Sequence, residues 1–172
     1  ARAGENLHTL DDSSRVAVGD ELVIADSEKP AGLAGIMGGL ESEITEGTTS
    51  VILEAASFHG PTIRRTARRI GLHSESSGRF ERGVDETETV RAVTRAAQLL
   101  VGMGACTVAK GVVDVYPKHR VPTVLEFSAR TVGERIGANI PGDWMASALC
   151  SLGFIVEEKG IETYHVAVPS WR

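Results

Sequence analysis

GLAGIMGGLES (Gly32–Ser42), VILEAASF (Val51–Phe58) and PTIRRTARRIGLHSESSGRFERGVD (Pro61–Asp85) follow one another closely in this chain. They read as a glycine-dense turn, an apolar run closed by a carboxylate, an arginine-studded helix and a second polar turn. Gly35, Gly38 and Gly39 bracket Ile36-Met37. Such glycines admit positive φ and close approach of another group. The segment argues against a phosphate loop, because neither a Gly-Lys-Ser/Thr continuation nor a βαβ unit is present. Two readings stay open: a tight turn between strands, and a pocket wall where a side chain would block a ligand.

The helix has clear ends. His59-Gly60-Pro61 places proline in the first turn, where its missing N–H costs nothing, and Gly71 follows Ile70 as the stop. Ile63, Ala67 and Ile70 form an apolar face. Arg64, Arg65, Arg68 and Arg69 form two adjacent rows on the other. That face is either solvated and paired with acids or turned toward nucleic-acid phosphates. Upstream, Val16–Val18, Leu22–Ala25 and Val51–Ala55 read as strands, the last two as buried ones, with a turn at Asp26–Pro30. Glu54 therefore stands in apolar company. It must pair, for instance with an arginine of the next helix, or serve a site as a hydrogen-bond acceptor. A buried acceptor for a ligand hydroxyl rejects a ligand lacking it.

Ser74-Glu75-Ser76-Ser77 and His73 suggest a serine nucleophile only superficially. There is no Gly-x-Ser-x-Gly elbow, and His73 is too near in sequence to be its base. Arg79, Glu81 and Arg82 suit an ion-pair lattice ordering the turn. Asp85 is a good N-cap for a second helix, whose Val90, Val93, Ala97 and Leu100 predict one buried stripe ending before Gly102. Val108–Val115 reads as a strand. Pro117–Pro122 is the best linker. Beyond it, Ser128 caps a helix ending near Gly137, and Asp143 caps one through Leu152. Phe154–Val156 and Tyr164–Val168 flank a turn at Lys159-Gly160 as a hairpin. Two short helices and then a hairpin is the winged-helix order.

The 172 residues carry 42% apolar and 5% aromatic side chains, so aliphatics must fill the core. The net charge is −5; the first 116 residues hold 12 basic and 17 acidic side chains, the remainder six of each. This is not the electrostatic footprint of a dedicated nucleic-acid binder. Cys106 and Cys150 show no metal-ligand spacing and read as buried reduced thiols. No signal peptide and no apolar run near 18 residues is seen, which predicts a cytoplasmic protein without a membrane span. The abrupt ends read as those of an excised fragment.

The motifs from Gly32 to Asp85, in their order and separations, resemble the editing domain of the bacterial phenylalanyl-tRNA synthetase beta subunit. The resemblance implies an α+β fold: a mixed sheet with packed helices over residues 1–116, a linker at 117–122, and the start of a winged-helix-like module over 123–172. It places Gly38, Glu54, Ser74 and Ser76 in an editing pocket, with Glu54 recognising a tyrosine hydroxyl. Position 74 is often threonine and position 76 often alanine in relatives, so Ser76 is a departure. Arg64, Arg65, Arg68 and Arg69 become possible tRNA contacts. No catalytic side chain and no metal ligand is assigned.

The implied reaction is hydrolysis of tyrosine wrongly joined to tRNA(Phe), with water positioned rather than strongly activated. The family pocket also uses a histidine from a segment reading like HAFD, which does not occur in this sequence. The implied assembly is two alpha and two beta chains. ATP and magnesium serve aminoacylation in the alpha subunit, and this fragment binds neither. The competing reading is a non-catalytic module that docks tRNA or neighbouring subunit domains; a third is a free-standing deacylase.

Overall fold

The computed structural model describes residues 1–172, which divide into two units, Ala1–Lys110 and Gly111–Arg172. In the first unit, β1 (Asn6–His8) pairs antiparallel with β2 (Ser14–Val16). β3 (Val23–Ala25), β4 (Pro30–Leu33) and β5 (Met37–Gly38) form a separate antiparallel sheet in that order. Val23 lies opposite Leu33, and Gly32 opposite Gly38. Asp26 closes the β3–β4 turn by accepting the N–H groups of Glu28 and Lys29 at 2.7 and 2.8 Å. A 3-10 turn follows at Leu40–Ser42.

α1 (Gly60–Ile70) starts and ends where its local signals place it. Gly71 is left-handed at φ 68°. The Leu72 N–H reaches the Ala67 carbonyl at 3.0 Å and the Gly71 N–H that of Arg68 at 3.3 Å, a Schellman closure that only a residue at ease with positive φ supports. The helix buries Ile63 (1% exposed) and Ala67 (0%) against Leu7, Leu33 and Ile36, with Phe58, Ile70, Leu72 and Phe80 at the margin. After α1 come α2 (Glu75–Phe80), a 3-10 turn at Glu86–Glu88 and α3 (Thr89–Gly102).

The second unit runs β6 (Val124–Ser128), α4 (Ala129–Ile136), α5 (Gly142–Ser151), β7 (Ile155–Gly160) and β8 (Thr163–Ala167). Its antiparallel sheet has the order β6-β8-β7. Its core is Ala129, Met145 and Tyr164, and Phe127 stacks on Tyr164 at a centroid distance of 5.1 Å. Gly137 is the left-handed stop of α4. Burial pushes the Tyr164 hydroxyl up, and the neighbouring Asp143 carboxylate adds to this.

The α+β class is the one the residues lead one to expect, with the first unit's strands divided between two small antiparallel sheets. Several local expectations are corrected. Val51–Ala55 is neither a strand nor buried; Ile52 is 97% exposed. Val108–Val115 is likewise irregular and exposed, with Val113 at 93%. An apolar run becomes a strand only against a partner that takes its N–H and C=O groups, and neither run has one here. α3 buries none of its residues, and Val90 is exposed.

Ser74–Ser77 opens a helix rather than a turn. β6 is a strand that the local pattern does not announce. Asp143 sits in the first turn of α5, which is capped by Pro141. The hairpin turns at Ile161-Glu162, with Glu162 at φ 55°, rather than at Lys159-Gly160. Cys106 and Cys150 are free and exposed. Arg79 reaches Glu75 within α2 at 3.8 Å rather than joining a lattice with Glu81.

Candidate functional site

One broad concavity of roughly 1210 Å³ dominates the first unit. Gly38, Glu54, Ser74 and Ser76 all line it, although they come from three separate segments. The β3–β5 sheet supplies one wall and the irregular Ser50–Ala56 segment another. The start of α2 and the region from Val84 to Ala92 complete it. Its surface mixes aliphatic and aromatic groups, among them Ile36, Met37, Phe58 and Phe80, with hydroxyls and carboxylates. The carboxylates are Asp26, Glu43, Glu54, Glu75, Asp85 and Glu88, and no lysine, arginine or histidine lines it. Such a field repels anions, so a phosphate-bearing group gains nothing inside, whereas an ammonium group does.

The glycines have different reasons to be glycine. Gly35 is left-handed at φ 65°, and a Cβ there would lie 3.0 Å from the Phe58 and Phe80 rings, themselves 4.8 Å apart. A Cβ on Gly39 would come within 2.4 Å of the Ala31 carbonyl oxygen. These two shape the turn. Gly38 is exposed on the concavity, and a Cβ there would meet only the tip of Leu10 at 2.9 Å. The Gly38 carbonyl accepts the Leu10 N–H at 3.0 Å.

Leu10 belongs to the β1–β2 loop, which is locked by fully buried Thr9. The Thr9 hydroxyl donates to Asp11 and accepts from Arg15 Nε at 3.2 Å. The Thr9 hydroxyl, and with it the Arg15 guanidinium, hold the Asp11 carboxyl at about 2 against the opposing effect of burial. Nothing in the spacing of the sequence signals that this loop supports the wall.

Glu54 is exposed in a segment without regular structure and pairs with none of the α1 arginines. Ser74 caps α2. Its hydroxyl donates to the Ile36 carbonyl at 2.7 Å and accepts the Ser77 N–H at 3.0 Å. Ser77, to which the sequence assigns no role of its own, is 1% exposed; a capping serine followed by Glu75 in a first turn is the signal that marks this helix start. Ser76 is half-buried on the lining.

The four arginines divide. Arg64, Arg65 and Arg68 are exposed, whereas Arg69 pairs with Glu21, whose side chain is 2% exposed. Burial pushes the Glu21 carboxyl up. The Val18 and Gly19 N–H groups, at 2.9 to 3.2 Å, and Arg69 more than offset it and hold the carboxyl below its ordinary value. No α1 residue lines the concavity. No cluster of three or more His, Cys, Asp or Glu side chains suited to a metal ion is formed, and no helix is long and apolar enough to cross a membrane.

The B3/4 domain family matches residues 1–104. Over all 172 residues the chain is 42% identical to the phenylalanine--tRNA ligase beta subunit of Nitratidesulfovibrio vulgaris and 42% identical to that of Geobacter metallireducens. It is 40% identical to that of Moorella thermoacetica. In each case the whole chain is covered, but only 22%, 22% and 21% of the relative. The chain thus spans about a fifth of the length of the curated relatives it matches.

Proposed function

Because the chain belongs to the B3/4 domain family, we propose that it is part of a phenylalanine--tRNA ligase beta subunit and that its concavity hydrolyses tyrosine wrongly joined to tRNA(Phe). The observation that carries this reading is the convergence of Gly38, Glu54, Ser74 and Ser76 on one apolar, carboxylate-rimmed hollow. An aminoacyl ester presents an ammonium group, which the carboxylates favour, and a side chain, which the aliphatic and aromatic lining receives. Glu54 accepts the tyrosine hydroxyl. An ester bound over Glu54 takes the carboxylate out of water, so phenylalanine leaves it without a partner and is passed over.

The lining holds no histidine, cysteine or lysine. The chain therefore contributes by holding the ester and its attacking water in register rather than by supplying a strong base or nucleophile. In this reading the protein works in the cytoplasm with an alpha partner, as two alpha and two beta chains. ATP and magnesium act in aminoacylation on the alpha subunit.

Glu54→Ala in the assembled enzyme tests the proposal. A hydrogen bond to a charged acceptor contributes about 1.5–3 kcal/mol, so kcat/KM for deacylation of Tyr-tRNA(Phe) should fall roughly 10- to 100-fold. An undiminished rate in a folded variant removes Glu54 from the site.

A second reading rests on the exposed Arg64, Arg65 and Arg68: a docking face that meets tRNA phosphates without chemistry. Affinity of this chain for tRNA that falls as salt rises, and weakens on replacing these three, supports it. No binding at low salt excludes it.

A further inference from the structure

Ser74 and Ser77 form a closed pair at the head of α2. The Ser74 N–H donates to the Ser77 hydroxyl at 2.9 Å, and the Ser77 N–H donates to the Ser74 hydroxyl at 3.0 Å. The Ser77 hydroxyl also lies 3.0 Å from the Ser74 carbonyl. The Ser74 hydroxyl spends its one hydrogen on the Ile36 carbonyl, 38 residues away in sequence, at 2.7 Å. Ile36 sits in the turn whose N–H is held by the Leu33 carbonyl at 3.0 Å and which leads into Gly38. Ser74 and Ile36 line the concavity, whereas Ser77 does not.

We propose that Ser77 is a positioning residue of the site, acting through Ser74 to clamp the α2 wall onto the glycine-turn wall. The Ser74 hydroxyl is thereby a tether rather than a ligand donor. Its hydrogen already points at Ile36, and a ligand could claim it only by breaking the clamp. Of the two serines on this wall, Ser76 is the one whose hydroxyl is available to a ligand. The chain of contacts runs from Ser77 to Ser74, to Ile36 and on to Gly38, so loosening its buried end displaces a wall of a hollow that Ser77 does not line. Placement errors near 1 Å at a reacting centre are enough to cost large factors in rate.

The inference rests on the deacylation reading for its substrate, and the tests separate the two. In the assembled enzyme, Ser77→Ala should raise KM for Tyr-tRNA(Phe) about three- to tenfold, and Ser74→Ala about tenfold. Ser74→Thr, which keeps a hydroxyl at the cap, should restore KM to within twofold. The double alanine variant should be no worse than Ser74→Ala alone, since both break one network. Multiplying effects would mean that Ser74 meets the ligand directly and would overturn the proposal.

Amide hydrogen exchange provides a readout that needs no substrate. Ser77→Ala should accelerate exchange at Ile36 and Gly38 while leaving Ala67 protected. Unaltered exchange at Ile36 and Gly38 overturns the clamp even if deacylation is observed. Accelerated exchange in an enzyme that never deacylates Tyr-tRNA(Phe) keeps the clamp and rejects the substrate. Loss of protection at Ala67 as well would show general loosening and reject a positioning role.

Discussion

The segment Val51–Ala55 and the helix Gly60–Ile70 lie close together in sequence and have opposite fates. Both contain apolar side chains in a pattern suited to burial. The helix buries Ile63 and Ala67 almost completely, and the segment leaves Ile52 97% exposed. A helix satisfies its backbone within itself, so proline at the start, glycine at the end and one apolar face are enough to specify it. A strand must find its hydrogen-bond partner elsewhere in the fold. Apolar content alone therefore says less about an extended segment than about a helix.

The contrast can be broken most forcefully at Ile63. Ile63→Ala should destabilise the chain by about 2–5 kcal/mol, read as a lower urea midpoint at constant slope. A change below about 0.5 kcal/mol would mean that α1 is not the core element it is taken to be.

Next comes the far end of the same helix. Glu21→Gln removes a buried carboxylate from two N–H groups and from Arg69, and should cost about 1–3 kcal/mol at neutral pH. The sign with pH follows from the lowered carboxyl. Its stabilising contribution is complete above the ordinary carboxylate pKa of 4.5 and is lost as pH falls through the lower folded value. Urea midpoints measured between neutral and acidic pH should converge for the two proteins. A gap that stays constant would show that the charge of Glu21 is not the source.

Gly71→Ala is smaller, because it strains one left-handed residue by about 1–2 kcal/mol. A melting temperature lower by roughly 2–8 °C is expected on the scaling for a chain of this size. Ile52→Ala closes the series at within about 0.5 kcal/mol of the parent. A loss approaching that of Ile63→Ala would show that the extended segment is buried in solution and would erase the contrast.

What was legible follows the same division. The cap at His59, the stop at Gly71, the stop at Gly137 and the strands of the final hairpin are local features, and each is found close to where its residues suggest. β6 escaped because Val124 to Ser128 gains strand character only by pairing with β8, whose partners lie about 40 residues downstream. α2 escaped because four polar residues look like a turn until Ser74 is seen accepting the Ser77 N–H. At the candidate site the residue types could be named in advance. The ion pair that ties Arg69 to Glu21 could not, since that partner lies 48 residues away.

By itself the sequence determined where α1 and α4 stop and which residues were worth asking about, because these depend on neighbours within a few positions. Only the tertiary structure decided that Gly38, Glu54, Ser74 and Ser76 share one hollow, that Ser74 is tied to Ile36, and that Val51–Ala55 remains open to solvent. Each of those outcomes depends on which distant backbone groups meet, and a run of side chains does not encode that locally.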